Sequence, residues 1–148
     1  MYKHILLPYD GSPLSDKALA EGIALAKGTG AKLTLLYVFT PHHLRIGGGR
    51  AVPGLKQLEK QYHDELKSKA VAMLETAQKR AASASVTCSS LIEEGTDAHE
   101  VIIARATRLK CDLILMASHG RKGLEGVLVG SETMKVLTHS NIPVLVVR

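Results

Sequence analysis

Cys111–Val147 reads CDLILMASHGRKGLEGVLVGSETMKVLTHSNIPVLVV. It contains two apolar runs, DLILMA and IPVLVV, with no polar alternation inside either. A strand covered on both faces has that continuous character, as in a parallel sheet flanked by helices. Between the runs come four glycines, at 120, 123, 126 and 130, and then a helical pattern from about Ser131 to Thr138. Strand, glycine-rich loop, helix, strand is one crossover unit. Two parallel strands so joined need a right-handed connection over one face of a sheet.

The same alternation extends back to the N-terminus. KHILLPY is a short apolar run closed by Asp10-Gly11-Ser12-Pro13. Ser12 suits an N-cap and Pro13 the first helical position. Ala18, Leu19, Gly22, Ile23 and Ala26 follow at helical spacing until Gly28 and Gly30 stop them. KLTLLYVF predicts a second strand. Thr40–Gly54 holds Pro41, Gly47-Gly48-Gly49, Pro53 and Gly54, and predicts a mobile loop; its place after the second strand would let it cover a pocket, but the glycines predict only mobility. Leu55, Leu58, Tyr62, Leu66, Ala70, Leu74, Ala77 and Ala81 share one face of a long helix. SVTCSSLIEE predicts a third strand. Asp97 with Glu100 resembles a capping box opening a third helix, whose buried stripe is Ala98, Ile102, Ala106 and Leu109. Five strands alternating with four helices predict an α/β, doubly wound, Rossmann-like parallel sheet forming a single domain over 1–148. In such sheets ligands bind beyond the carboxyl ends of the strands.

The totals narrow the class of partner. The 148 residues carry a net charge of +5, which mildly favours anions. Along the long helix, however, Lys56, Lys60, Lys67 and Lys69 alternate with Glu59, Asp64 and Glu65, as on a solvated face. With four Tyr, one Phe and no Trp, there is little for nucleic-acid bases to stack on, so no nucleic-acid partner is expected. Cys88 and Cys111 form no CxxC motif and sit in or beside apolar segments, as buried thiols in a reducing compartment do. The three apolar residues before Pro8 are too few for a signal peptide, and no apolar run approaches the ~18 residues of a membrane span. A cytoplasmic location and no membrane partner are expected.

Candidate chemistry concentrates in the loops after the strands. The glycine loop is not a P-loop, because Lys122 follows Arg121 and no Ser or Thr follows it. It is not a GxGxxG fingerprint either, since its glycines are never two apart. What stands is Gly120, nine residues, then Gly130-Ser131 at a helix start. A helix N-terminus offers unpaired N–H groups and partial positive charge, and glycine admits an anion close to the backbone. The loop then either wraps a di- or triphosphate or merely turns the chain, with Ser131 as a plain N-cap. Asp10 ends the first strand, where a carboxylate can accept ribose hydroxyls or bond its own backbone in a turn.

Other constellations fail on spacing. His99-Glu100 begins like HExxH, but Ile103 stands where the second histidine would be, so no zinc site is expected. His42 and His43 point apart if extended. Ser118-His119 are adjacent, a poor nucleophile–base arrangement, and no GxSxG elbow exists. Glu93 and Glu94 fall on opposite faces of a strand. No catalytic residue is assigned.

ILLPYDGSPLSDKALAEGIALA at the front and Cys111–Val147 at the back resemble the universal stress proteins of the single-domain, ATP-binding type. The resemblance runs the length of the chain. It implies strand order 3-2-1-4-5 and the nucleotide motif G-x2-G-x9-G-[ST]. Gly120 matches the second glycine and Gly130-Ser131 the closing pair, while Ala117 stands at the first glycine, where a methyl would weaken binding. It further implies Pro8, Tyr9 and Asp10 around ribose and adenine; alternation along the strand turns the Tyr9 ring away from the crevice. Val38 would offer its backbone to adenine, Met116 would lie beside base or sugar, and Glu132 and Thr133 would add donors at the helix start. The implied ligand is ATP, or AMP or ADP, with Mg²⁺ held indirectly through Asp10.

Family members usually pair through the last strand. Here Pro143–Val147 is apolar throughout and would lie at an edge, which independently invites a homodimer. The expected role is an adenine-nucleotide-binding stress-response regulator, at most a slow ATPase, signalling to a protein partner that the sequence does not identify. The alternative is a dimeric interaction module with a weakened pocket, which Ala117 favours. A nucleotide-cleaving enzyme of the wider superfold would need SGGxDS or HIGH-type motifs, and neither is present.

Overall fold

The computed structural model describes residues 1–40, 52–120 and 129–148. The predicted 41–51 part of the mobile loop, including His42 and His43, and the glycine-loop residues 121–128 lie outside them. The elements run β1 (His4–Pro8), α1 (Pro13–Thr29), β2 (Lys32–Phe39), α2 (Leu55–Ser83), β3 (Cys88–Glu94), α3 (Ala98–Arg108), β4 (Leu113–Ala117), α4 (Ser131–His139) and β5 (Val144–Val147). The five strands form one sheet in the order β3-β2-β1-β4-β5. All four pairings are parallel. The fold class is the one the alternating pattern predicts, and the strand order is the one the family resemblance implies.

Two aliphatic layers hold the sheet. Alternate residues Ile5, Leu7, Leu33, Leu35, Leu113 and Leu115 pack with Ala18, Leu19, Leu74, Ala77 and Ala81 of α1 and α2. The intervening Leu6, Leu36, Ile114 and Met116 pack with Ile102, Ala106 and Val136 of α3 and α4. α1 lies close because residue 22 is glycine: a Cβ there would stand 2.7 Å from Leu7 Cδ1. Its start follows the sequence, with Ser15 N–H donating to Ser12 Oγ at 3.2 Å and Pro13 opening the helix. It ends at Gly30, left-handed at φ 72°, whose N–H returns to Ala26 O. Gly28 lies within the helix.

Two local expectations, the cap of α3 and the start of β5, need correction, and the long helix α2 forms as expected but is buried over only part of its length. Asp97 occupies the N-cap position of α3, but its side chain caps no helical N–H. The carboxylate of Glu132 does so instead, accepting from His99 N–H at 2.9 Å. On α2 only Ala70, Leu74, Ala77 and Ala81 of the apolar stripe are buried, while Leu58 and Tyr62 are about half exposed. The N-terminal half of the helix extends beyond the sheet that covers its other half. β5 begins at Val144 rather than Pro143. Pro143 has no N–H to pair, although its carbonyl accepts from Ile114 N–H at 2.9 Å.

Candidate functional site

β1 makes its last β2 pairing at Pro8–Leu36, whereas β2 continues through Tyr37 and Val38 to Phe39. β1 also separates β2 from β4 at the point where the winding direction reverses. A crevice opens at the carboxyl ends of these strands, as expected for a topological switch point. Its volume is about 570 Å³. Pro8, Tyr9, Asp10, Val38, Met116, Ala117, Gly120, Gly130, Ser131, Glu132 and Thr133 all border it. The topology thus brings every site position expected from the sequence to one cavity. It adds Phe39, Tyr62, Leu66, Thr96, Ala98, Ile102 and His119. Ile102, Tyr62 and Leu66 belong to helical stripes whose spacing signals only burial. The sequence offers His119 only as a partner for Ser118, not as part of a binding site.

Asp10 Oδ1 accepts from Ser12 N–H at 2.9 Å, the turn bond open to a strand-end aspartate. The carboxylate also lies against Gly120: a Cβ on Gly120 would stand 2.6 Å from Asp10 Oδ2. Only glycine fits that approach without moving the carboxylate. Tyr9 turns its ring away from the crevice into the α1–α2 layer, where its hydroxyl donates to Asp16 Oδ1 at 2.6 Å. Burial, then the bond to Asp16, pushes its pKa up to about 12. Arg80 Nη1 reaches the same Asp16 oxygen at 2.8 Å, tying β1, α1 and α2 together below the site.

At the other side the loop returns on itself. Gly130 N–H donates to Ser118 O at 2.6 Å, and a Cβ on Gly130 would stand 3.0 Å from His119 Cβ. Glycine at 130 therefore closes the loop, and its N–H is spent there rather than held ready for an anion. Gly130 is the N-cap and Ser131 the first helical residue, so Ser131 is not the plain cap. The N–H groups of Ser131, Glu132 and Thr133, in the first turn of α4, have no carbonyl four residues back within the helix. They point toward the cavity end of the α4 axis, where the helix dipole is positive.

The expected side-chain donors at the helix start have other work. Thr133 Oγ1 donates to Ala117 O at 3.0 Å. The Glu132 carboxylate receives His99 N–H, His99 Nδ1 at 3.0 Å and Lys135 Nζ at 3.0 Å. Burial alone would raise its pKa, but hydrogen bonds from Lys135 and His99 hold it below the usual carboxylate range. Ala117 is an ordinary strand residue paired with Val147, and its methyl lies in the α1-side core layer. The backbone at 117 thus needs no glycine.

The histidine, serine and acidic constellations have these partners in the fold. His99 serves Glu132, and among the described residues no group of three His, Cys, Asp or Glu could hold a metal. Ser118 Oγ and His119 Nδ1 do meet, at 3.3 Å, despite their adjacency, but Ser118 is buried and out of a substrate's reach. Glu93 pairs with Arg105 at 2.7 Å, while Glu94 is exposed. Cys88 and Cys111 are free thiols, each pushed by burial to about 11. No described helix is long and apolar enough to cross a membrane.

The family model described as the universal stress protein family matches residues 1–148. The chain belongs to the universal stress protein family. Universal stress protein YxiE of Bacillus subtilis is 32% identical over 152 residues, covering 100% of both chains. Universal stress protein MJ0577 of Methanocaldococcus jannaschii is 31% identical, covering 100% of this chain and 96% of its own. The solved structure of MJ0577 superposes with a TM-score of 0.82 over 99% of this chain and 96% of its own. Universal stress protein UspA from Lactobacillus plantarum gives 0.85 at 26% identity, covering 99% and 98% of the two chains. More distant universal stress proteins, at 22% and 17% identity, were solved in complex with cAMP and dAMP and share the fold.

Proposed function

We propose that this universal stress protein binds an adenine nucleotide, ATP first among them, in the crevice above β1, β2 and β4, and acts as a cytoplasmic regulator. The observation that carries this reading is the two-ended cavity. One end is apolar, with Val38, Phe39, Ile102 and Met116 suited to a base. The other presents Gly120, Ser131 and the first turn of α4, suited to phosphate. Asp10 stands beside Gly120, in place to accept ribose hydroxyls or to hold Mg²⁺ through water. The phosphate rests on the N–H groups of Ser131, Glu132 and Thr133 and the Ser131 hydroxyl. In this reading the protein holds the nucleotide and turns it over slowly at most. The complexes of distant members with cAMP and dAMP agree with an adenine ligand.

The weakened-pocket alternative rests on Ala117. Its methyl lies in the core layer, so Ala117→Gly should leave affinity unchanged or slightly better. A loss of affinity would mean that the motif is aligned wrongly. The nucleotide reading itself is tested by melting the protein with millimolar ATP and Mg²⁺. A ligand that binds only the folded state at a hundred times its Kd stabilises by about 2.7 kcal/mol, a rise of several degrees. An unchanged melting temperature would remove the claim.

The acting species is proposed to be a homodimer joined through β5. β5 is a sheet edge, and Leu145 on it is 45% exposed. Edge pairing between two copies covers both.

A further inference from the structure

α2 is 29 residues long, about 43 Å at 1.5 Å per residue, yet its buried residues begin only at Ala70. The part before Ala70 overhangs the carboxyl edge of the sheet. It is held there by His63, whose ring centroid lies 4.5 Å from that of Phe39 at the end of β2. This contact sets the N-terminal part of α2 against the end of β2. Tyr62, 49% exposed, and the half-buried Leu66 border the same cavity as Val38 and Met116. Leu58, one turn earlier, does not border it and is 55% exposed.

An aromatic ring left half in water beside an apolar recess gains by receiving another flat, apolar face. The phosphate-suited groups lie at the α4 side, so the α2 side is left for the base. Resting on the nucleotide reading above, we propose that Tyr62 and Leu66 form a stacking wall for the nucleobase. Helix α2 then recognises the base while Gly120 and the first turn of α4 hold the phosphate. Stacking engages the face of the Tyr62 ring, not its hydroxyl.

The test is calorimetric titration of ATP with Mg²⁺, and separately of inorganic tripolyphosphate, into the wild type, Tyr62→Ala, Tyr62→Phe and Leu58→Ala. Tyr62→Ala should weaken ATP binding about tenfold, within the range for removing one base–aromatic stack. It should leave tripolyphosphate binding unchanged, because tripolyphosphate has no base. Tyr62→Phe and Leu58→Ala should bind ATP as the wild type does. Wild-type ATP affinity in Tyr62→Ala would overturn the wall while leaving the nucleotide site standing. Equal losses for ATP and tripolyphosphate would also overturn it, as would a fall in ligand-free melting temperature with unchanged affinity, which would show the ring covered by the chain itself. A wild type that binds no ATP would overturn both proposals.

Discussion

His4 shows how one residue can make stability depend on pH far from the ligand site. It is buried at the start of β1, with Nε2 2.8 Å from Thr34 Oγ1 and Nδ1 3.2 Å from Leu109 O. Burial, then the nearby charge of Lys32, lowers its pKa below the ordinary 6.5. The folded chain therefore resists a proton that the unfolded chain accepts. Stability is fully present above the unfolded pKa and is lost as pH falls through it toward the folded value. Between pH 7.5 and 5.5 the wild-type melting temperature should drop, and His4→Gln should flatten that limb. Parallel profiles for the two proteins would contradict this assignment. At the same scale, Gly120 and Gly130 were legible in the sequence as special positions, but their separate tasks were not. Gly120 makes room for the Asp10 carboxylate, and Gly130 spends its N–H on Ser118. Both tasks depend on neighbours brought up by the fold.

Among elements, the junction of α3 and α4 differs most from its sequence signal. Asp97 and Glu100 have capping-box spacing, yet Glu132 of α4 caps α3. Local spacing cannot reveal a cap supplied from 33 positions away. Glu132→Ala should remove that cap and cost about 1 kcal/mol, a fall of about 3 °C in melting temperature. An unchanged melting temperature would mean that water replaces the carboxylate without loss. α2 is similar. Its periodicity correctly marks a helix, but a stripe of Leu and Tyr looks the same whether a sheet or a cavity lies beneath it. Ser12, by contrast, caps α1 with a partner three residues away, so its role is readable directly.

At the scale of the whole molecule, the fold was legible because the strands are short and bounded by turn residues, all but the half-polar β3 are mainly apolar, and every connection is helical. That pattern leaves a parallel sheet as the only economical arrangement, and the family resemblance supplied its order. The resulting edge at β5 has a direct consequence if the proposed dimer forms there. Leu145→Lys, which places a charge on the exposed edge, should give a monomer in analytical ultracentrifugation while the fold persists. A wild-type monomer would remove the dimer, and a variant that stays dimeric would move its interface elsewhere.

The central claim is that the crevice above β1, β2 and β4 grips a nucleotide by its phosphate, with Gly120 and Asp10 in close register. It is tested most directly by titrating ATP with Mg²⁺ into the wild type and into Gly120→Ala, following heat. A Cβ at position 120 would displace the Asp10 carboxylate, since the two would stand 2.6 Å apart. The account predicts saturable binding by the wild type and at least a tenfold loss, ~1.4 kcal/mol, in the variant. Equal affinity in the two proteins, or no heat in either, would contradict it.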